Sequence, residues 1–209
     1  MAPAFRQYAA HSQLEYATAR QREGKFDEVT RIGWEQGYRD WTEGFGQDMI
    51  PSQVGPIQLE ATADQIEIWA EERNVDPNSI RRMISEYKSI TNYDFWVVRA
   101  LSESEEETVL AHRDLYEGRE LFKAGDLSKA QVRLFNGMEK IGQLIENHPE
   151  LANEDNTVEE ALMGVLFWRS ILEIRKLTPP RDYPLRELWE SRTHLIPTLL
   201  DEFKRETSE

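Results

Sequence analysis

The chain has 209 residues and no cysteine, and its 39 acidic and 25 basic side chains give a formal net charge of -14. So acidic a balance disfavours binding to nucleic acid or to an anionic membrane surface, because both need clustered lysine and arginine. Without cysteine there is no disulfide, thiolate metal site or thiol nucleophile. The length suits one domain or two small ones, with enough chain to bury a core.

Apolar residues recur at steps of three and four along most of the chain, which predicts an all-α fold made of antiparallel helical hairpins. The first helix is predicted over residues 5–23 and ends at Gly24. The second starts at Asp27 and runs to about Phe45. Because the break between them is short, the two helices are antiparallel neighbours, and we predict an N-terminal hairpin over residues 1–46.

Prolines and glycines mark the breaks between the later helices. Residues 47–60 have no helical period and are predicted to form a loop or an extended arm at a domain boundary. Thr62 and Asp76 are predicted N-caps of the two helices that follow. The tail over residues 184–206 is predicted as one helix, kinked or divided at Pro197.

Two further helix starts are predicted from a hydroxyl residue followed three positions later by glutamate, which is the spacing of a capping box. Ser102 with Glu105 would start one helix, and Thr157 with Glu160 would start the other. The second of these helices contains the most apolar stretch of the chain. That stretch is shorter than the roughly 20 apolar residues of a membrane span, so it is predicted to be a buried core helix.

No direct membrane insertion and no export signal are therefore predicted. We expect a cytoplasmic protein; the alternative is the soluble part of a longer, membrane-anchored chain.

Residues 115–134 read LYEGRELFKAGDLSKAQVRL. The small and apolar residues of this segment resemble, in type and spacing, those of a tetratricopeptide (TPR) unit: Gly118, Leu121, Gly125, Asp126 and Ala130. The resemblance implies a hairpin of two closely packed helices at about residues 103–148, within a main helical domain over residues 61–209. It implies either a TPR-like right-handed helical array or an irregular bundle. No proline closes the unit at its usual place.

Two weaker resemblances accompany this one. A fainter copy of the TPR spacing stands about one hundred residues earlier, at Ala17, Gly24, Phe26 and Val29. Residues 92–162 also resemble a helical region of uncharacterised bacterial proteins of planctomycete type, which brings no known activity.

Four aromatic residues of the second helix stand at steps of four, three and four residues: Trp34, Tyr38, Trp41 and Phe45. Three glycines lie on the same helix, although each costs roughly 1 kcal/mol in a helix interior. We predict that this aromatic stripe contacts another helix. That helix could belong to a partner protein, with the rings as binding hot spots, or to the same chain.

A second candidate site follows from the TPR resemblance, since the first helices of such repeats line a groove for extended peptides. On this register one face carries His112, Arg119, Phe122 and Lys123. Arg119 and Lys123 are candidates for holding an acidic terminus or a carboxylate of a partner. The alternative is that basic residues near a helix end stabilise its dipole and pair with neighbouring glutamates.

Motifs for catalysis are absent from the sequence. The metal-ligand candidates are two glutamate and histidine pairs, Glu190 with His194 and Glu146 with His148, without a paired-histidine motif or an EF-hand spacing. There is no phosphate-binding glycine loop and no nucleophile elbow. We therefore expect no cofactor and no metal.

Acidic residues cluster at Glu103–Glu107 and between Glu154 and Glu160. They could attract a basic partner, or they could serve solubility alone. The sequence as a whole predicts a non-catalytic protein–protein interaction or scaffold module that binds another protein through a helix or an acidic peptide. It could act as a homo-oligomer, a hetero-oligomer or a subunit of a larger assembly. The alternatives are a helical metal-dependent hydrolase and a small-ligand-binding bundle.

Overall fold

The computed structural model describes residues 3–208, and this range is predominantly helical, which confirms the all-α class. The α-helices of this range are, in chain order, α1 (Pro3–Arg22), α2 (Glu28–Arg39), α3 (Ala63–Arg73), α4 (Pro77–Thr91), α5 (Tyr93–Ser104), α6 (Glu106–Lys123), α7 (Leu127–Asn147), α8 (Asp155–Ile174), α9 (Arg186–Ser191) and α10 (Ile196–Thr207). A π-helical turn (Asp40–Gly44) and short 3-10 segments (Phe45–Gln47, Pro149–Asn153, Thr193–Leu195) join them. Extended pairing in this range is one antiparallel bridge, Ile50 with Ile57.

The chain divides into two compact units. Helices α1 to α5 form the first unit, and α6 to α10 form the second together with the loop residues 23–27. The division after Ser104 differs from the boundary predicted at residues 47–60. The reason is that Ile57 and Leu59 of that segment are buried in the core of the first unit.

The predicted N-caps Thr62 and Asp76 are confirmed. The Thr62 hydroxyl accepts a hydrogen bond from the backbone N–H of Gln65, whose side chain accepts one from the Thr62 N–H in return. The Asp76 carboxylate accepts from the N–H of Asn78, and Pro77 stands at the helix start. These bonds satisfy donors that a helix start leaves without an intrahelical partner.

The two predicted capping boxes are wrong. Ser102 lies in the last turn of α5, where its hydroxyl donates to the carbonyl of Arg99, and Glu105 is the N-cap of α6. Helix α8 starts before Thr157, because the carboxylate of Glu154 caps it by accepting from the Thr157 N–H. In both α6 and α8, the residue directly before the first helical residue is a glutamate.

The second helix and the tail are more divided than predicted. Helix α2 ends at Arg39, and the chain continues directly into the π-helical turn. The tail over residues 184–206 forms α9, a 3-10 turn and α10, with Pro197 in the first turn of α10. A proline is tolerated there because its missing N–H would have no intrahelical partner.

The core of the second unit forms around α6, α7 and α8. Twelve of the 20 residues of α8 are buried, which confirms the predicted core helix. Helices α6 and α7 approach closely at two glycines: a Cβ on Gly118 would lie 2.7 Å from Cγ of Leu134, and one on Gly137 would lie 2.7 Å from Cδ2 of Leu115. The turn between them passes through Gly125, whose φ of 80° favours glycine.

None of the helices within residues 3–208 combines the length and the apolar character that a membrane crossing requires.

Candidate functional site

The strongest candidate site is a face of α6 formed by Arg119, Phe122 and Lys123, which we call the α6 face. It holds a carboxylate of the C-terminal helix α10. The ammonium Nζ of Lys123 lies 3.2 Å from Oε2 of Glu206, and Nη1 of Arg119 lies 3.7 Å from Oε1 of the same side chain. Within the chain a carboxylate thus lies beside the two cations. Lys123 also pairs with a neighbouring glutamate, as the alternative predicted, because its Nζ lies 3.0 Å from Oε1 of Glu120.

Phe122 supplies the apolar part of the α6 face. Its ring centroid lies 5.1 Å from that of Phe167 on α8 and 5.8 Å from that of Phe203 on α10, both in edge-to-face geometry. Phe203 also lies 4.7 Å from Phe167. One turn earlier on α10, Leu199 is only 2% exposed. The α6 face therefore accepts an aromatic ring and a carboxylate from α10, while Leu199 of the same helix is buried in the core of the second unit.

The electrostatics keep Lys123 charged. Burial acts to lower the pKa of its ammonium group, but hydrogen bonds to Glu120 and Glu206 outweigh that effect and raise the pKa above its usual value. A lysine that is charged at neutral pH and follows an aromatic residue on its helix suits a carboxylate that also follows an aromatic residue on a helix.

His112 was predicted on the same face, but the structure places it elsewhere. The residue is buried, with 4% exposure, and its Nδ1 lies 2.7 Å from Oε2 of Glu160 on α8. It therefore joins α6 to α8 inside the second unit. The structure brings together Arg119, Phe122 and Lys123, and leaves His112 out.

The aromatic stripe of the second helix lies in the core of the first unit. Trp34, Trp41 and Phe45 are buried, and Tyr38 is partly buried against the same cluster. The ring of Trp41 packs edge-on against Tyr93, with centroids 5.7 Å apart. Of the two alternatives that the sequence left open, the structure favours packing within the chain, so the expectation of partner-binding rings here is corrected.

Sequence reasoning missed the residues of α10 that complete the site. Leu199, Phe203 and Glu206 follow one another at steps of four and three residues, which places them on one helical face. The spacing was visible in the sequence. Nothing in the sequence indicated that this face would cover α6.

Arg99 was also missed. It is only 7% exposed, and its guanidinium carbon lies 5.5 Å from the ring of Trp34 and 5.9 Å from that of Trp96. A single arginine within the apolar stretch of α5 was the available signal. We interpret it as a cation held between aromatic faces, which stabilises the first unit.

A second surface in the same unit is an open groove of about 940 Å³ between α6 and α7. Its lining includes Leu121 and Val132, and Val132 is 59% exposed. Charged residues also line it, and among these Nη2 of Arg133 lies 3.2 Å from Oε2 of Glu117. The charges of that pair are therefore already compensated.

Of the remaining metal-ligand candidates, Glu190 and His148 have partners within the chain, and Nε2 of His148 lies 3.4 Å from Oε1 of Glu105. Oε1 of Glu190 accepts a hydrogen bond of 2.8 Å from Nε of Arg186, and His194 lies exposed in a 3-10 turn. No three histidine, aspartate or glutamate side chains among residues 3–208 lie close enough together to hold a metal ion. Two members of the acidic clusters, Glu103 and Glu154, are buried instead of forming a solvated face.

Comparison of the chain with protein-family models, curated proteins and solved structures gives no significant match in any of the three. The functional argument therefore starts from the geometry of the chain's own residues.

Proposed function

We propose that the protein is a non-catalytic interaction module, which binds an acidic helical segment of another protein at the α6 face. The observation that carries this proposal is the carboxylate of Glu206 beside Arg119 and Lys123, next to the ring of Phe122. Charge-assisted hydrogen bonds fix the carboxylate, and the ring buries apolar surface. This combination is typical of a groove that receives an amphipathic helix.

The proposal includes a TPR-like character for the α6–α7 hairpin. The close approach at Gly118 and Gly137 and the glycine turn at Gly125 support it, because such a unit needs small residues at these places. The function is then to position a partner, without making or breaking bonds. A right-handed array of several such hairpins stays a prediction.

The test compares the 209-residue chain with a variant in which both cations are neutralised, Arg119→Gln with Lys123→Gln. The matched control neutralises two exposed cations of the same unit, Lys129→Gln with Arg186→Gln, and so changes the net charge equally. Each protein is immobilised and exposed to native extract, and retained proteins are identified and quantified. We expect a partner that is retained by the wild type and the control and lost from the α6-face variant. Equal retention by all three, or retention by none, would refute the proposal.

A second candidate function is the binding of a small apolar ligand in the groove between α6 and α7, which its volume and its exposed Val132 favour. An apolar fluorescent dye should then bind saturably to the wild type and at least tenfold more weakly to Val132→Glu. Dye binding that this substitution leaves unchanged would exclude the groove.

A further inference from the structure

We infer that α10 is an internal ligand of the α6 face, and that the partner is a helix with the same pattern of side chains, which competes with α10 for that face. The pattern is an aliphatic residue, an aromatic residue four positions later and a carboxylate three positions after that. This inference rests on the proposed function and specifies both the partner and the competition.

The first argument is that three residues on one face of α10 are each engaged within the second unit. Leu199 is buried, and Phe203 contacts Phe167 and Phe122. Glu206 lies within 3.7 Å of Arg119 and also contacts Lys123. Because positions i, i+4 and i+7 share one helical face, any helix with this pattern can present the same three groups at once.

The second argument is that α10 is weakly held. Of its 12 residues Leu199 alone is buried, whereas α8 buries 12 of 20. An isolated helix of this length is marginal in water, so α10 depends on the few contacts it makes with the second unit. Elements with few buried apolar contacts open most readily. A partner helix with a better fit can therefore replace α10 without unfolding the core.

The third argument is charge. The α6 face presents two cations in a chain whose net charge is -14. Removal of α10 would leave Arg119 without the carboxylate of Glu206, and Lys123 would keep only Glu120, whose Oε1 lies 3.0 Å from its Nζ. Both cations would then lie on the same face as the ring of Phe122. This combination selects a helix that brings a carboxylate next to an aromatic residue, and it disfavours a basic helix.

The experiment measures binding of a fluorescein-labelled peptide, with the sequence of residues 195–208, to the 209-residue chain. The variant Glu206→Lys weakens the internal helix through its own ion pairs. Asp201→Lys is the matched control, because it makes the same charge change at an exposed position of α10. We expect Glu206→Lys to bind the peptide at least tenfold more tightly than the wild type, and Asp201→Lys to bind it like the wild type.

A second peptide, with lysine at the position of Glu206, should bind Glu206→Lys at least tenfold more weakly than the first peptide does. Three results would overturn the inference: equal affinity of wild type and Glu206→Lys, no binding to either, or a dimer of Glu206→Lys formed by exchange of α10 between copies. Sedimentation would detect such a dimer, and the occupant of the α6 face would then be α10 of a second copy of the chain.

The two proposals fail differently. If an extract partner binds the wild type and Glu206→Lys equally and is lost from the doubly neutralised α6-face variant, the interaction function stands and competition by α10 fails. If the peptide binds as expected but no extract protein is retained by any variant, competition stands and the proposed function fails.

Discussion

Two glycines of α7 occupy positions with opposite steric demands. A Cβ on Gly137 would lie 2.7 Å from Cδ2 and 3.0 Å from the backbone nitrogen of Leu115, whereas the nearest atom to a Cβ on Gly142 is Cδ2 of Leu185 at 3.8 Å. We expect Gly137→Ala to lower the free energy of unfolding by about 1 to 3 kcal/mol, because the helices must separate. Gly142→Ala should raise it by about 0.5 to 1 kcal/mol through helix propensity. Urea unfolding measures the stability of both variants. Similar effects of Gly137→Ala and Gly142→Ala would contradict the close approach of α6 and α7 at Gly137.

Trp41 distinguishes a core residue from a binding residue. It is 1% exposed and packs against Tyr93, so Trp41→Ala should lower the free energy of unfolding of the first unit by about 3 to 5 kcal/mol. Tyr8, which is 79% exposed in the same unit, serves as the control, and Tyr8→Ala should change stability by less than about 0.5 kcal/mol. Denaturant unfolding followed by circular dichroism checks this. If Trp41→Ala were as stable as the wild type, the aromatic stripe would instead be interpreted as a binding surface.

The sequence revealed the spacing of these side chains but not their burial. A helical face that packs in a core and one that binds a partner both need apolar residues at helical steps. The spacing of Trp34 and Trp41 was therefore compatible with either interpretation. The basic residues were more informative. Arg119 and Lys123 were predicted to hold a carboxylate of a partner, which stays a prediction, and within the chain a carboxylate lies beside them. Its source, Glu206, is more than 80 positions away along the chain, a distance that no local pattern spans.

Helix starts depend on one or two hydrogen bonds, and α8 gives the clearest test. The carboxylate of Glu154 accepts from the N–H of Thr157 and from the amide of Asn156. Glu154→Ala should lower the free energy of unfolding by about 0.5 to 2 kcal/mol, because the start of the helix loses its acceptor. Glu159→Ala, at an exposed position of the same helix, should have little effect. Equal unfolding midpoints of the two variants in urea would argue against Glu154 as the cap.

The wrong helix starts have one physical cause. Serine or threonine followed three residues later by glutamate satisfies the spacing of a capping box anywhere in a helix, including its last turn. Ser102 fits that spacing but bonds to the carbonyl of Arg99 inside α5. Thr62 and Asp76 were placed correctly because a break in the apolar pattern stands directly before each of them. Caps are predictable where two independent signals coincide.

The stability of the second unit should depend on alkaline pH through Lys123. Its pKa is raised in the folded state above the usual 10.5 by Glu120 and Glu206, despite the opposing effect of burial. A raised pKa contributes stability that is complete below the unfolded value and is lost as the pH rises through the folded value. The stability difference between the wild type and Lys123→Met should therefore be largest near neutral pH and shrink above pH 10.5. Urea unfolding at neutral and alkaline pH measures this stability difference. A difference that does not change with pH would exclude the ion pairs of Lys123 with Glu120 and Glu206 as contributors to stability.

The division of the whole chain was less predictable than its class. The all-α class followed from periodicity over many residues, so single errors did not change it. The boundary was placed at residues 47–60 because prolines and glycine interrupt the helices there. The structure divides the chain after Ser104 instead, since Ile57 and Leu59 of the loop are buried in the first unit. A loop and a boundary look alike in sequence when the loop contributes a few apolar residues to a core.

Stability should vary strongly among the helices, and hydrogen exchange can measure that variation over the whole molecule. Helix α8 buries 12 residues, so its amides should exchange only through opening of the second unit. Helix α10 buries Leu199 alone, and its amides should exchange through local opening, at rates at least tenfold higher. Mass spectrometry of peptic peptides reads both helices in one experiment. In Glu206→Lys the exchange of α10 should accelerate further while that of α8 stays unchanged. Equal protection of α8 and α10 would show that α10 opens only together with the core, and a partner could then not replace it without unfolding the second unit.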